Sequence, residues 1–406
     1  MNVIFLDPGF PSNQREFVRA LVSIGATVHG IGDRPLHWLD GELQGWLGSY
    51  RHIGSTTDEG ALEHAVREAQ RDVWIDRLEV VVEAHVLPAA HVRERCGIPG
   101  TTSRTAWLCR DKPAMKAVLR EAGVRTAASA GITSTREALD FAREVGYPVI
   151  LKPRDAAGAS GTYRADDDAA LERAARECRL ADGAPAAIEE FVEGHEGFHD
   201  TLTVGGEVRH EFISHYYPNV LEAMRTRWIS PRIVSTNRVD GPGYEDIKAM
   251  GRQVIDVLGI HTSATHMEWF RTPKGLYFSE IGCRAPGVGQ WDSYCAGNDM
   301  DLYREWALAV CHGRTETPPS RRYASAIIAL RPEGDGRIAG YEGLDEVFGK
   351  YGDLVVGQHF PEPGSPTQGV EAGYMANAWL RLRHPDHDAL RGILDEIGER
   401  VRVFVN

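Results

Sequence analysis

Glu268 and Glu280 bracket the stretch of this 406-residue chain that holds the most chemistry, running from His266 to Arg284. Residues 265–270 and 276–281 read as two short apolar strands joined by the turn signal Pro273-Lys274-Gly275. If the strands pair as a hairpin, the two carboxylates face each other on one sheet surface, with Arg284 just beyond. Facing carboxylates repel unless a cation lies between them, and oxygen-rich sites beside phosphates are where Mg²⁺ binds. That favours a nucleotide-bound magnesium; the other reading is a surface hairpin whose acids point to water.

Two upstream segments bear on the choice. Residues 147–152 form a buried-type strand ending in Lys152, followed by the small-residue loop Asp155 to Thr162, which includes Gly158, Ser160 and Gly161. A strand lysine reaches phosphate oxygens as a compact point charge, and a loop without bulky side chains lets backbone N–H groups close over them. The spacing is not that of a P-loop. Residues 186–197 then run from an apolar strand through Glu189, Glu190 and Val192 to Gly194 and Glu196. This suits a hinge where backbone groups meet an adenine edge and a carboxylate accepts ribose hydroxyls, although each acid alone reads more readily as solvated surface than as a ligand.

Lysine strand, small-residue loop, acidic hinge and paired carboxylates ending in Arg284, in that order, resemble the ATP-grasp superfamily from about Ser103 to Gly289. The resemblance implies ATP and Mg²⁺, with Mn²⁺ as an alternative ion. It implies that Lys112 contacts the α-phosphate and Lys152 is a second phosphate lysine on a lid. Ser160 and Gly161 would belong to a mobile loop closing over the terminal phosphates. Glu189, Glu190 and Val192 would form the adenine hinge, Glu196 the ribose contact, and Glu268 and Glu280 the metal ligands. Arg284 would steady the transferring phosphoryl group or the acyl phosphate. His266, on the strand face of Glu268, would orient substrate, deprotonate the amine, or serve in packing. One position departs from the family: the usual Glu-x-Asn-x-Arg is Glu280-Ile-Gly282-Cys-Arg284 here. A glycine offers no ligand, so water or a phosphate oxygen would have to complete the coordination of a second metal.

Composition sets the outer limits. The chain is long enough for about three domains of ordinary size, and its 42% apolar content with interspersed charge is that of a soluble globular protein. No stretch approaches the roughly 18 apolar residues of a membrane helix, and no basic-then-apolar leader opens the chain, so a cytoplasmic protein without membrane contact is expected. A net charge of −13 argues against nucleic acid as a partner. The six cysteines fall at no zinc or redox spacing and read as reduced thiols. Arg225, Arg227 and Arg232 form either a basic pocket for a substrate carboxylate or a solvated charged loop.

The elements that must position these residues divide three ways. Residues 1–102 alternate strands (3–7, 27–31 and 79–84) with helices, which implies a parallel α/β domain of the kind that precedes many ATP-grasp cores. Asp7 and Ser12 sit at its first strand-to-helix turn, where they would meet a ligand or, more economically, cap the helix. Residues 103–312 would be the α+β ATP-grasp core, with a lid over about 125–193 and helices at 134–145 and 167–180. Residues 313–406 would be a mixed α+β domain with strands 324–330 and 353–358, a final helix 386–400 and a Pro/Gly-rich loop from Phe360 placed near the active-site rim.

The resemblance thus implies a ligase of small-molecule carboxylates and amines, with amino acids as the substrate class and a homodimer as an option. It would form an amide or peptide bond through an acyl phosphate and release ADP and phosphate. The run Tyr277 to Gly287 is similar to the branch containing biotin carboxylase and the L-amino-acid ligases. Biotin-carboxylase-like carboxylation is one alternative. A non-catalytic nucleotide-binding protein, suggested by Gly282, is another.

Overall fold

The structure is a computed structural model that describes residues 1–154, 161–227 and 229–406. Its first 102 residues build a parallel sheet from β1 (Asn2–Leu6), β2 (Thr27–Gly32), β3 (Leu47–His52) and β4 (Arg77–Glu79), in the order β3-β2-β1-β4. β1 carries the run Val3 to Leu6, buried on both faces, which is why it sits in the middle. The order reverses between β1 and β4, so the crevice beyond their carboxyl ends is a topological switch point, the usual place for a ligand in such sheets. The expected strand at 79–84 is shorter and earlier: β4 ends at Glu79, and Glu83 opens the helix Glu83–Cys96 on the rim of that crevice. Asp7 and Ser12 do not cap the first helix, whose N-cap is Asn13 with no side-chain bond; Asp7 is itself buried, with φ at 54°.

A second sheet, order β5-β8-β6-β7, comprises β5 (Ser129–Ile132), β6 (Val149–Pro153), β7 (Tyr163–Ala165) and β8 (Ala186–Glu190). Its helices start cleanly: Ser134 and Glu137 form a reciprocal capping box for Thr135–Val145, and Asp167 caps Asp168–Glu177. The apolar faces of these helices bury Ala138, Ala142, Leu171 and Ala175 against Val149, Leu151 and Ile188, so this unit has its own small core.

The largest sheet has eight strands: β9 (His195–Val204), β10 (Glu207–Tyr217), β11 (Arg232–Ser235), β12 (Ser263–Thr272), β13 (Gly275–Gly282), β14 (Ala324–Leu330), β16 (Val355–His359) and β17 (Ala378–His384), in the order β13-β12-β9-β10-β11-β14-β17-β16. Strands from beyond residue 312 therefore extend the core sheet instead of forming one apart; only β15 (Ile338–Glu342) and β18 (Arg402–Val405) pair separately. The strand expected at 353–358 begins two residues later, after a 3₁₀ turn at Gly352–Leu354. The loop from Phe360 lies against β15, where Tyr341 donates to the Pro361 carbonyl, and not at the rim of the site. Phe17 of the first helix packs within 5.0 Å of the Trp291 and Trp306 rings and 4.9 Å of Tyr303, joining the N-terminal sheet to the core. Such aromatic contacts add about 0.5–1.5 kcal/mol each beyond the area they bury.

Candidate active site

β12 and β13 pair antiparallel with Glu268 directly opposite Glu280, and a bulge after Glu268 turns the rest of the strand. β9 lies on the other side of β12, with Glu196 opposite Phe270 and Asp200 opposite His266. Directly opposed residues share a face, as do residues two apart. One sheet surface therefore carries Glu196, Asp200, His266, Glu268 and Glu280. The four-stranded sheet closes over it, leaving a cavity of about 510 Å³ lined by Lys116, Lys152, Glu189, Glu196, Glu268 and Glu280 at its polar end. Ile150, Phe191, Val192, Val220, Phe270 and Phe278 supply apolar lining suited to a flat ring.

The lysines and acids are interlocked. Lys152 Nζ lies 3.1 Å and Lys116 Nζ 2.9 Å from the same Glu189 oxygen, Oε2, and all three groups are buried or nearly so. Burial would push the Glu189 carboxyl up, but the two ammonium groups outweigh it and hold it at about 2. Burial lowers Lys116, which Lys152 also repels; Lys152 is raised because Glu189 and Glu280 outweigh its own burial. Lys112 Nζ lies 3.3 Å from Glu280 Oε2, and against the effect of burial Lys112 and Lys152 keep Glu280 lowered. Glu196 is pushed up to about 8, by burial first and the Glu268 charge second, while accepting the Val220 N–H at 2.7 Å.

Glu190 accepts the Ala128 N–H at 3.3 Å, and Val192 lines the apolar slot. Glu189 differs from the expected hinge role in its side chain, which turns inward to the lysines. Its other oxygen, Oε1, is buried with no hydrogen-bond partner among the described residues. The loop 155–160, with Ser160, falls outside the described residues; Gly161 lies inside them, at φ 67°. Arg154, just before that loop, makes a bidentate pair with Asp111 at 2.7 and 3.1 Å, tying β6 to the N-cap of the helix Lys112–Glu121.

His266 Nδ1 is 2.7 Å from Asp200 Oδ1, whose other oxygen accepts from Tyr294 at 2.5 Å. Its Nε2 faces Glu268 Oε1 at 3.7 Å. Burial opposes the charged ring, but Asp200 and Glu268 raise it to about 9. A ring protonated in this way has both nitrogens occupied as donors, which suits it to orient an anionic group.

Arg284 does not stand alone. Its Nε donates to Glu83 Oε2 at 2.5 Å, and Arg110 Nη1 reaches the other oxygen of the same carboxylate at 3.0 Å. A Cβ at Gly282 would come within 3.1 Å of Glu83 Oε2. A carboxylate from the helix at the switch-point crevice of the N-terminal sheet thus stands close against any side chain at position 282. Glu83, Lys116 and Asp200 were not singled out from the sequence. Lys116 had a signal, lying four residues after Lys112 on the same helix face; the partners of Glu83 and Asp200 are too distant in the chain to show. Of the basic loop, only Arg225 borders the cavity, donating to the Thr162 carbonyl at 3.0 Å, while Arg227 pairs with Asp335 and Arg232 with Asp395.

Among the described residues no three His, Cys, Asp or Glu side chains converge as a preformed metal cluster. Two opposed carboxylates beside a cluster of buried lysines still suit a hard cation that draws its remaining ligands from water and from an anionic ligand.

A lysine cradle over an acidic antiparallel sheet, preceded by a parallel α/β unit, is the setting in which residues 117–297 match an ATP-grasp domain. The chain is 25% identical over 251 residues to an L-arginine-specific L-amino acid ligase of Bacillus subtilis, covering 60% of each chain. It is 24% identical over 236 residues to the alanine–anticapsin ligase of Bacillus subtilis strain 168, covering 52% of this chain and 48% of that one. The chain thus spans between about half and three-fifths of these relatives' lengths. An L-amino acid ligase from Bacillus licheniformis has the same fold, with TM-score 0.79 at 17% identity over 100% of this chain and 98% of that one.

Proposed function

We propose that the protein is an ATP-dependent carboxylate–amine ligase that joins an amino acid to an amine through an acyl phosphate, releasing ADP and phosphate. The observation that carries this is the meeting of Lys116 and Lys152 with Glu268 and Glu280 around one cavity whose far end is apolar, with Lys112 paired to Glu280 beside it. The slot between Ile150, Val192 and Phe270 holds the base, and Glu196 accepts the ribose hydroxyls. Lys116 and Lys152 leave Glu189 in part to bind phosphate oxygens. Glu268 and Glu280 hold Mg²⁺, which when bound neutralises phosphate charge and polarises the γ-phosphoryl group.

The substrate carboxylate sits toward Arg284, whose guanidinium is aimed by Glu83. Attack of that carboxylate on the γ-phosphorus breaks the bond to ADP and gives the acyl phosphate; the neutral amine then attacks the carbonyl carbon, the bond to the phosphate oxygen breaks, and the departing phosphate carries off the amine proton. His266, held as an imidazolium by Asp200, orients an anionic oxygen and keeps its proton. The protein itself supplies position, charge and exclusion of water.

The test is ADP release from purified protein with ATP, magnesium and amino acids offered singly and in pairs. Release that depends on two amino acids supports the ligase. Release that needs bicarbonate and biotin identifies a carboxylase, and nucleotide binding without turnover a regulatory protein.

A further inference from the structure

Behind the end of β13 lies a second cleft, of about 660 Å³, between the N-terminal sheet and the core. Cys283, Arg284 and Ala285 form one wall; Arg77, Glu79 and Arg93 line another. Glu79 is the last residue of β4, and among the described residues no hydrogen bond or ion pair reaches its carboxylate. The residue is half-buried with its carboxylate open to the cleft, and burial pushes Glu79 up despite Arg93 and Arg77 nearby. The guanidinium groups are fixed in place: Arg93, 4% exposed, donates through Nε to the Leu78 carbonyl at 2.7 Å, and Arg77 through Nε to the Val310 carbonyl at 2.7 Å.

We propose that this cleft is a binding site for a free α-amino acid, its ammonium on Glu79 and its carboxylate toward Arg93 and Arg77. A simple amine would meet two guanidinium groups and a simple anion would meet Glu79, so only a ligand carrying both charges matches both walls. The cleft is roomy enough for an amino acid with a side chain, and Thr101, Thr102 and His261 at its rim add polar contacts. Because Arg284 borders this cleft and also pairs with Glu83, an occupant would press on the segment that carries Arg284. The site does not depend on the ligase assignment.

The test is calorimetry on the full chain without nucleotide, using L-alanine, L-leucine and L-arginine as probes, with propylamine and propionate as single-charge controls. The expected result is binding of at least one amino acid and of neither control, weakened at least tenfold by Glu79→Gln. Thr101→Trp, a substitution at the rim that fills the cleft and leaves the charges intact, should weaken it similarly. Amino-acid binding unchanged in both variants would place the ligand elsewhere and overturn the proposal, as would the absence of binding to the parent protein or equal binding of propylamine. ADP release by Glu79→Gln is read separately, since loss of cleft binding with turnover retained separates this site from the catalytic one.

Discussion

Lys116 and Lys152 come from different sheets' supports, one from the core helix and one from β6, yet both ammonium groups rest on a single oxygen of Glu189, at 2.9 and 3.1 Å. Under the proposed function, that oxygen holds the place that a phosphate oxygen of ATP would take. Glu189→Gln should remove it and leave two buried cations facing each other, at a cost of about 3–5 kcal/mol in unfolding free energy. A bound ATP analogue would restore the counter-charge. The gain in Tm on adding the analogue should therefore be larger in the variant than in the parent, as measured by calorimetry. An equal gain would mean that phosphates do not reach these lysines.

Glu280→Gln keeps the size of the side chain and removes the charge of a proposed metal ligand from the hairpin. ATP turnover should fall about a hundredfold or more at saturating magnesium, while circular dichroism stays that of the parent. Turnover equal to the parent's would end the metal assignment for this pair.

Glu196→Ala tests the ribose contact. Such a contact is made before and during the chemical step alike, so the KM for ATP should rise several-fold with kcat little changed. An unaltered KM, or a loss confined to kcat, would assign Glu196 elsewhere.

The hairpin was legible in the sequence because its turn residues and its two apolar runs are local signals, but the opposition of Glu268 and Glu280 was not: the register from the turn would set Glu268 against Ser279, and the bulge after Glu268 brings Glu280 across instead. Lys152 was legible from a local signal, as the polar end of a buried strand. The partner of Arg284 was not: Glu83 is 201 residues away and reaches it only because the parallel sheet of residues 1–102 docks through Phe17 onto the core. The inward turn of Glu189 was also hidden, since alternation in a strand fixes a side chain's face and not which of several cations will meet it there.

On the opposite face of the core sheet, His215 bonds His195 Nε2 at 2.8 Å and the Tyr244 hydroxyl at 2.9 Å. Burial first, then the neighbouring His195 and His387, lower it to about 3. Its unfolded-state value is 6.5, so below that the unfolded chain binds a proton the folded chain refuses. Stability should therefore fall as pH drops from 6.5 toward 3, by up to about 1.4 kcal/mol per pH unit for one proton. His215→Gln should flatten the decline of Tm between pH 6.5 and 4.5. An identical slope in variant and parent would show that this ring does not control it.

The proposed acyl phosphate makes a prediction about one atom. When the amine displaces phosphate from the activated carboxylate, the bridging oxygen leaves with the phosphate. With the substrate carboxylate labelled with ¹⁸O and the amine present, each amide bond formed should deliver one labelled oxygen into inorganic phosphate, read by ³¹P NMR or mass spectrometry. Product formed with unlabelled phosphate, or label-free phosphate from ATP with no amide product, would contradict carboxylate phosphorylation at this site.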